Sequence, residues 1–279
     1  MNQEPNACLA GEAYARVSDG DGKPVILIHG LPSSLDEWND FFDDLIGAGF
    51  KPMAMDLLGH GRSHRPESAR CYTVEHFYTF FCQWMDSLQL SGSVSLVGHS
   101  FGGHLALRYA AAYPERVDRL VLINPFLSFD QMTLVNWLVF RFPSFAAAIY
   151  SRVPAFLIRC FVWLGSLESG RFLRSSLTKA DFESMLLDYH RCSPLVVHLP
   201  LSVWDEAIPY PQIQMPALLL WGVKDMTLKV SWFERVCRKM PNCQTARVAG
   251  GHYPHRSNYG EVKPVIFDFL RRNASNIEE

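Results

Sequence analysis

A chain of 279 residues suits one core domain of generous size or a core with an inserted subdomain, because single hydrophobic cores stop growing near ~250–300 residues. A formal net charge of −2, with no basic stripe to neutralise phosphates, excludes nucleic acid as an expected partner. The seven cysteines are scattered and form no Cys-x-x-Cys pair, so neither a zinc site, a redox motif nor a disulfide framework is expected; they read as small buried hydrophobes in a reducing, cytoplasmic compartment.

In chain order, the first sixteen residues carry Glu4 and Glu12 and lack a cationic start before an apolar run, which makes a poor signal peptide. Val25–Ile28 predicts a buried strand ending at His29-Gly30, and Ser33-Ser34 then cap a helix over Leu35–Ile46. A second strand, Met53–Met55, ends at Asp56. Apolar or aromatic residues at 74, 77, 78, 81, 84, 85 and 88 predict a helix over Val74–Leu88. Strand Val94–Val97, helix Leu105–Ala112 and strand Leu120–Ile123 follow. Later come strands Ala217–Trp221 and Thr245–Val248 and helices Val230–Met240 and Val262–Arg272. Short apolar runs alternating with helical patterns predict an α/β fold, a mostly parallel sheet flanked by helices.

The alternation breaks between Asn124 and Gln214. That stretch holds helical patterns and prolines but no convincing strand, and it is too long for a simple connection. We read an inserted helical cap over 126–208, dividing the core into 1–125 and 209–279. Arg141, Arg152, Arg159, Pro143 and Pro154 interrupt its most apolar part, Gln131–Leu167, so no run reaches the ~18–20 residues a spanning helix needs. The same arginines, with no acid among them, are compatible with amphipathic helices resting on a membrane surface.

Gly98-His99-Ser100-Phe101-Gly102 fits Gly-x-Ser-x-Gly and lies between a predicted strand and a predicted helix. A turn that sharp strains its central residue and leaves no room for side chains beside it, while the helix N-terminus offers positive potential to an oxyanion. A reactive serine needs a base, and the base an orienting acid. His252 and Asp225 follow in that service, each on a loop beyond a predicted strand. His255 is the rival base. His99 is expected to point away from Ser100, His29 to bond its own loop, and Asp56 and His60 to brace a turn.

With His29-Gly30-Leu31-Pro32, Asp56 through Ser63, Gly98 through Gly103, Trp221 through Asp225 and Gly251-His252 in this order, the chain resembles the capped serine hydrolases of the α/β-hydrolase superfamily, in their esterase-like branch. The resemblance implies Ser100 as nucleophile, His252 as general base and acid, Asp225 as its orienting partner, and an oxyanion hole from the backbone N–H groups of Leu31 and Phe101. It implies no metal or organic cofactor. Two departures stand out: no acid follows His252 until Glu261, and Asn124 occupies the strand end where some relatives place the acid. The expected reaction is hydrolysis of a carboxylic ester, thioester or lactone of an apolar small molecule. Carbon–carbon bond hydrolysis of vinylogous diketones, acyl transfer and a non-catalytic ligand-binding role are the alternatives. Halide or epoxide opening is disfavoured, because those relatives use Asp where this chain has Ser100.

Overall fold

A computed structural model describes residues 7–150, 152–154, 156–157, 179–203 and 208–272. Seven strands form one sheet in the order β1-β3-β2-β4-β5-β6-β7. They are β1 (Ala15–Val17), β2 (Lys23–Ile28), β3 (Phe50–Met55), β4 (Val94–His99), β5 (Val117–Ile123), β6 (Ala217–Gly222) and β7 (Cys243–Val248). Every pairing is parallel except β1 with β3. β1 is absent from the sequence reading for a physical reason: it is three residues long, none of them buried, and sits at an edge with no apolar run to reveal it.

Strand side chains alternate between two cores. Ile26, Ile28, Leu96, Leu120 and Leu122 pack with Phe77, Phe81, Phe101 and Leu105 on one face. Val25, Leu27, Val97 and Val121 pack on the other with Trp38, Phe41, Phe42, Val262 and Ile266. This double burial explains why the central strands read as continuous apolar runs rather than half-polar ones. The first face carries α2 (Val74–Ser87) and α3 (Phe101–Ala112); the second carries α1 (Asn39–Gly47) and the last described helix, α9 (Tyr259–Arg271). Ser34 caps a 3-10 turn, Leu35–Trp38, that leads into α1, so the predicted single helix is two joined pieces.

Between β5 and β6 the described residues form α4 (Leu134–Arg141), α5 (Pro143–Tyr150), α6 (Lys179–Arg191) and 3-10 turns. Arg159, Trp163 and the rest of 158–178 within the expected cap lie outside the described residues, as do 204–207. α7 (Ser231–Cys237) links β6 to β7, and α8 (Pro254–Ser257) precedes α9. No described helix is long and apolar enough to cross a membrane.

The cysteines correct the sequence reading. Cys8 bonds Cys71, tying the N-terminal segment to the turn before α2, and Cys237 bonds Cys243 across the connection from α7 to β7. Cys82 and Cys192 are free, and Cys160 lies outside the described residues. Proximity between residues 63 apart comes from packing, which spacing does not reveal. Because disulfides persist in oxidising surroundings, the cysteines no longer argue for a reducing compartment.

Candidate active site

β4 delivers Ser100 and α3 starts on the next residue. Ser100 takes φ 51° and ψ −116°, well outside the regions comfortable for a side-chain-bearing residue. The backbone is clamped on both sides: Ser100 N–H donates to Ile123 (2.9 Å), and Phe126 N–H donates to the Ser100 carbonyl (2.9 Å). A Cβ on Gly98 would stand 2.5 Å from the Gly102 carbonyl oxygen, and one on Gly102 would collide with that of Ile28. These positions therefore accept only glycine, as the strained-turn reading expects. The hydroxyl-bearing residue is buried, at 6 % exposure, with the positive end of α3 beside it.

His252 occupies the loop between β7 and α8, and its Nε2 lies 3.1 Å from Ser100 Oγ. Its Nδ1 lies 2.8 Å from Asp225 Oδ2. The two loops are fastened together, because Val223 and Lys224 N–H groups donate to the carbonyls of Val248 and Gly250 (both 3.0 Å). Asp225 Oδ1 accepts from the N–H groups of Thr227 (2.7 Å) and Leu228 (2.9 Å), and Asn124 Nδ2 donates to Oδ2 (2.6 Å). Burial alone would raise the Asp225 carboxyl. The His252 charge and hydrogen bond, with the Leu228 amide and Asn124, instead hold it below its ordinary value.

The other histidines singled out in the sequence, His29, His60, His99 and His255, sort by contact. His29 donates from Nδ1 to the Gly30 carbonyl (2.8 Å) and accepts the Leu57 N–H at Nε2 (2.9 Å), so it braces its own loop. His60 bonds the Leu58 carbonyl (2.8 Å), and burial pushes it down to about 3. Asp56 accepts the N–H groups of Leu35 (2.7 Å) and Arg62 (2.8 Å), the expected bracing role. His255, the rival base, is not at Ser100: its Nε2 donates to Glu37 Oε1 at 2.7 Å, and burial takes it down to about 4.

Glu37, like the bond from Asn124 to Asp225, is something that sequence reasoning missed. Glu37 is buried, and its Oε1 also lies 2.7 Å from His99 Nδ1. His99 turns away from Ser100 and donates from Nε2 to the His252 carbonyl (2.9 Å). Burial would raise the Glu37 carboxyl, but His99 and His255 together hold it well below its ordinary value. A buried carboxylate thus fixes two imidazoles, one of which holds the backbone of His252. Among the described residues this trio is also the group whose ligand atoms lie close enough, within 4.8 Å, for a metal ion to bridge. His255 Nε2 and His99 Nδ1 both face the same carboxylate oxygen, Glu37 Oε1, at 2.7 Å.

Leu31 and Phe101 belong to the two chain segments next to Ser100. Phe101 opens α3, and the Gly30-Leu31 loop passes so near that a Cβ on Gly30 would stand 2.8 Å from that of Ser100. The ensemble offers a hydroxyl, a base able to take its proton, and an anion to steady the resulting imidazolium.

Residues 23–258 match the family described as alpha/beta hydrolase fold. A cis-3-alkyl-4-alkyloxetan-2-one decarboxylase from Shewanella oneidensis is 28% identical over 93% of this chain and 86% of its own length. Among solved structures, a bromoperoxidase from Bacillus anthracis superposes with a TM-score of 0.79 at 21% identity, covering 94% of this chain and 96% of its own. An esterase from Thermogutta terrifontis gives 0.75 at 22%, covering 94% and 93%.

Proposed function

Within the alpha/beta hydrolase fold family, to which this chain belongs, we propose that it is a serine hydrolase cleaving a carboxylic ester, thioester or lactone of an apolar small molecule through an acyl-enzyme. The observation that carries the reading is the continuous line from Ser100 Oγ through His252 to Asp225, at 3.1 and 2.8 Å, on a strained turn. Ser100 Oγ attacks the carbonyl carbon as its proton passes to His252 Nε2. Asp225 steadies the imidazolium. The oxyanion accepts from the N–H groups of Leu31 and Phe101; one such donor is worth ~2.7–4 kcal/mol in the transition state. His252 then protonates the leaving alcohol or thiol, and water attacks the acyl-serine with its proton going to the same nitrogen. The carboxylic acid leaves and Ser100 recovers its proton.

Two further facts support the substrate class. The Shewanella relative is named for an alkyl-substituted oxetan-2-one, a ring-closed ester with apolar arms. The segment between β5 and β6 is rich in Trp and Phe, which suits an apolar group under a helical cap. Carbon–carbon bond hydrolysis uses the same three residues, but His99, committed to Glu37 and the His252 carbonyl, is not free to serve a polar substrate. A panel of short and long acyl esters, thioesters, lactones and a vinylogous diketone at matched concentrations tests the reading. Hydrolysis of esters, lost in both Ser100→Ala and His252→Ala, is expected. Turnover of the diketone alone would overturn the substrate class, and turnover of nothing, with no acyl-enzyme formed, would favour a binding protein.

A further inference from the structure

α4 is apolar on both sides. Trp137 and Phe140 turn inward and pack against the main core. The outward face shows Leu134 at 70% exposure, Val135 at 71% and Leu138 at 50%, and just past the helix in the chain Phe142 at 61% and Phe145 at 69% are exposed as well. A surface helix of a water-facing protein carries charged residues there. This face ends in Arg141 alone, with exposed Arg152 and Phe156 close behind in the chain. From Gln131 to Leu167 the sequence contains three arginines and no Asp or Glu.

We propose that this face docks on the surface of an anionic lipid bilayer, with the leucines and phenylalanines in the acyl boundary and Arg141 and Arg152 against the headgroups. α4 and α5 are eight residues each, far too short to cross, so they lie in the plane of the interface. A second copy is a poorer occupant, since a two-fold contact would set arginine against arginine with no acid between them. The position adds a reason. Thr133, which precedes α4, donates from its N–H to the Thr227 carbonyl (3.1 Å) and from Oγ1 to that of Met226 (2.8 Å). The docking face therefore borders the loop that carries Asp225, and Met226, 67% exposed, extends the apolar surface to it. A docked chain keeps that loop at the lipid boundary, where apolar compounds concentrate.

Docking goes beyond the ester-hydrolase reading and is measured without turnover, so either can fail alone. The full chain is floated with vesicles of phosphatidylcholine alone and mixed with phosphatidylglycerol. Wild type is expected to float with the mixed vesicles and to fall away as salt rises. Leu138→Asp with Phe145→Asp is expected to lower binding by about tenfold or more, and Arg141→Gln by about five-fold. Melting temperature and turnover of a water-soluble aryl ester stay at wild-type values in all three proteins, which separates lost docking from lost folding. Wild type that never floats, or aspartate variants that float as well as wild type, would overturn the proposal. So would a wild-type dimer in solution that Leu138→Asp dissociates.

Discussion

Ser100 holds a backbone conformation that costs on the order of 1–3 kcal/mol, and it persists because β5 and Phe126 clamp the residue on both sides. Asn124, at the end of β5, shares the left-handed region with φ 42° and spends its side chain on Asp225 and on the Gly222 N–H. Ser100, Asp225 and His252 were legible in the sequence because each stands just past a recognisable strand. Asn124 and Glu37 were not, because their roles depend on partners 101 and 218 residues away. At this scale the sharpest prediction concerns Asp225→Asn. An amide can no longer demand the Nδ1–H tautomer of His252, so kcat should fall by about 10³–10⁴-fold with KM and melting temperature little changed. Steady-state kinetics on an aryl ester checks this; a loss below about tenfold would mean that the acid does not orient the base.

Elements were legible where both faces of a strand are buried and obscure where local preference and packing disagree. β3 begins at Phe50 rather than Met53 and keeps Pro52 inside a paired strand, a residue that usually argues against one. α3 begins at Phe101 rather than Leu105, although Gly102 and Gly103 are weak helix formers, because the turn at Ser100 needs them there. Two glycines should respond oppositely to the same change. Gly102→Ala drives a methyl into the Ile28 carbonyl and should cost about 1–3 kcal/mol or more. Gly47→Ala closes α1 with open space around the new methyl and should stabilise by about 0.5–1 kcal/mol. Urea titrations of both variants check the signs; equal effects would contradict the close approach of α3 to β2.

For the whole molecule, the alternation of strands and helices was enough to read the parallel sheet, while the Cys8–Cys71 disulfide, 63 residues apart in sequence, depended on tertiary approach that scattered cysteines do not disclose. Stability should also depend on pH through buried histidines. His60 and His255, held to about 3 and about 4 by burial, stay neutral in the folded chain, whereas the unfolded chain protonates them as pH falls below 6.5. Their contribution is complete above 6.5 and falls on acidification by about 1.4 kcal/mol per pH unit for each. Asp188, raised to about 6 by burial, takes up its proton in the folded state first and offsets part of this loss between 6 and the ordinary carboxylate range. Urea midpoints should therefore drop from pH 7.5 to pH 5; a flat or rising trend would contradict neutral buried histidines. The central claim, that Ser100 is an activated nucleophile, is tested most directly by labelling with a fluorophosphonate probe and mapping the modified peptide. A single adduct on Ser100 is predicted in wild type, with none in Ser100→Ala and slow labelling in His252→Ala. Wild type labelled no more than Ser100→Ala, or labelled at another residue, would contradict it.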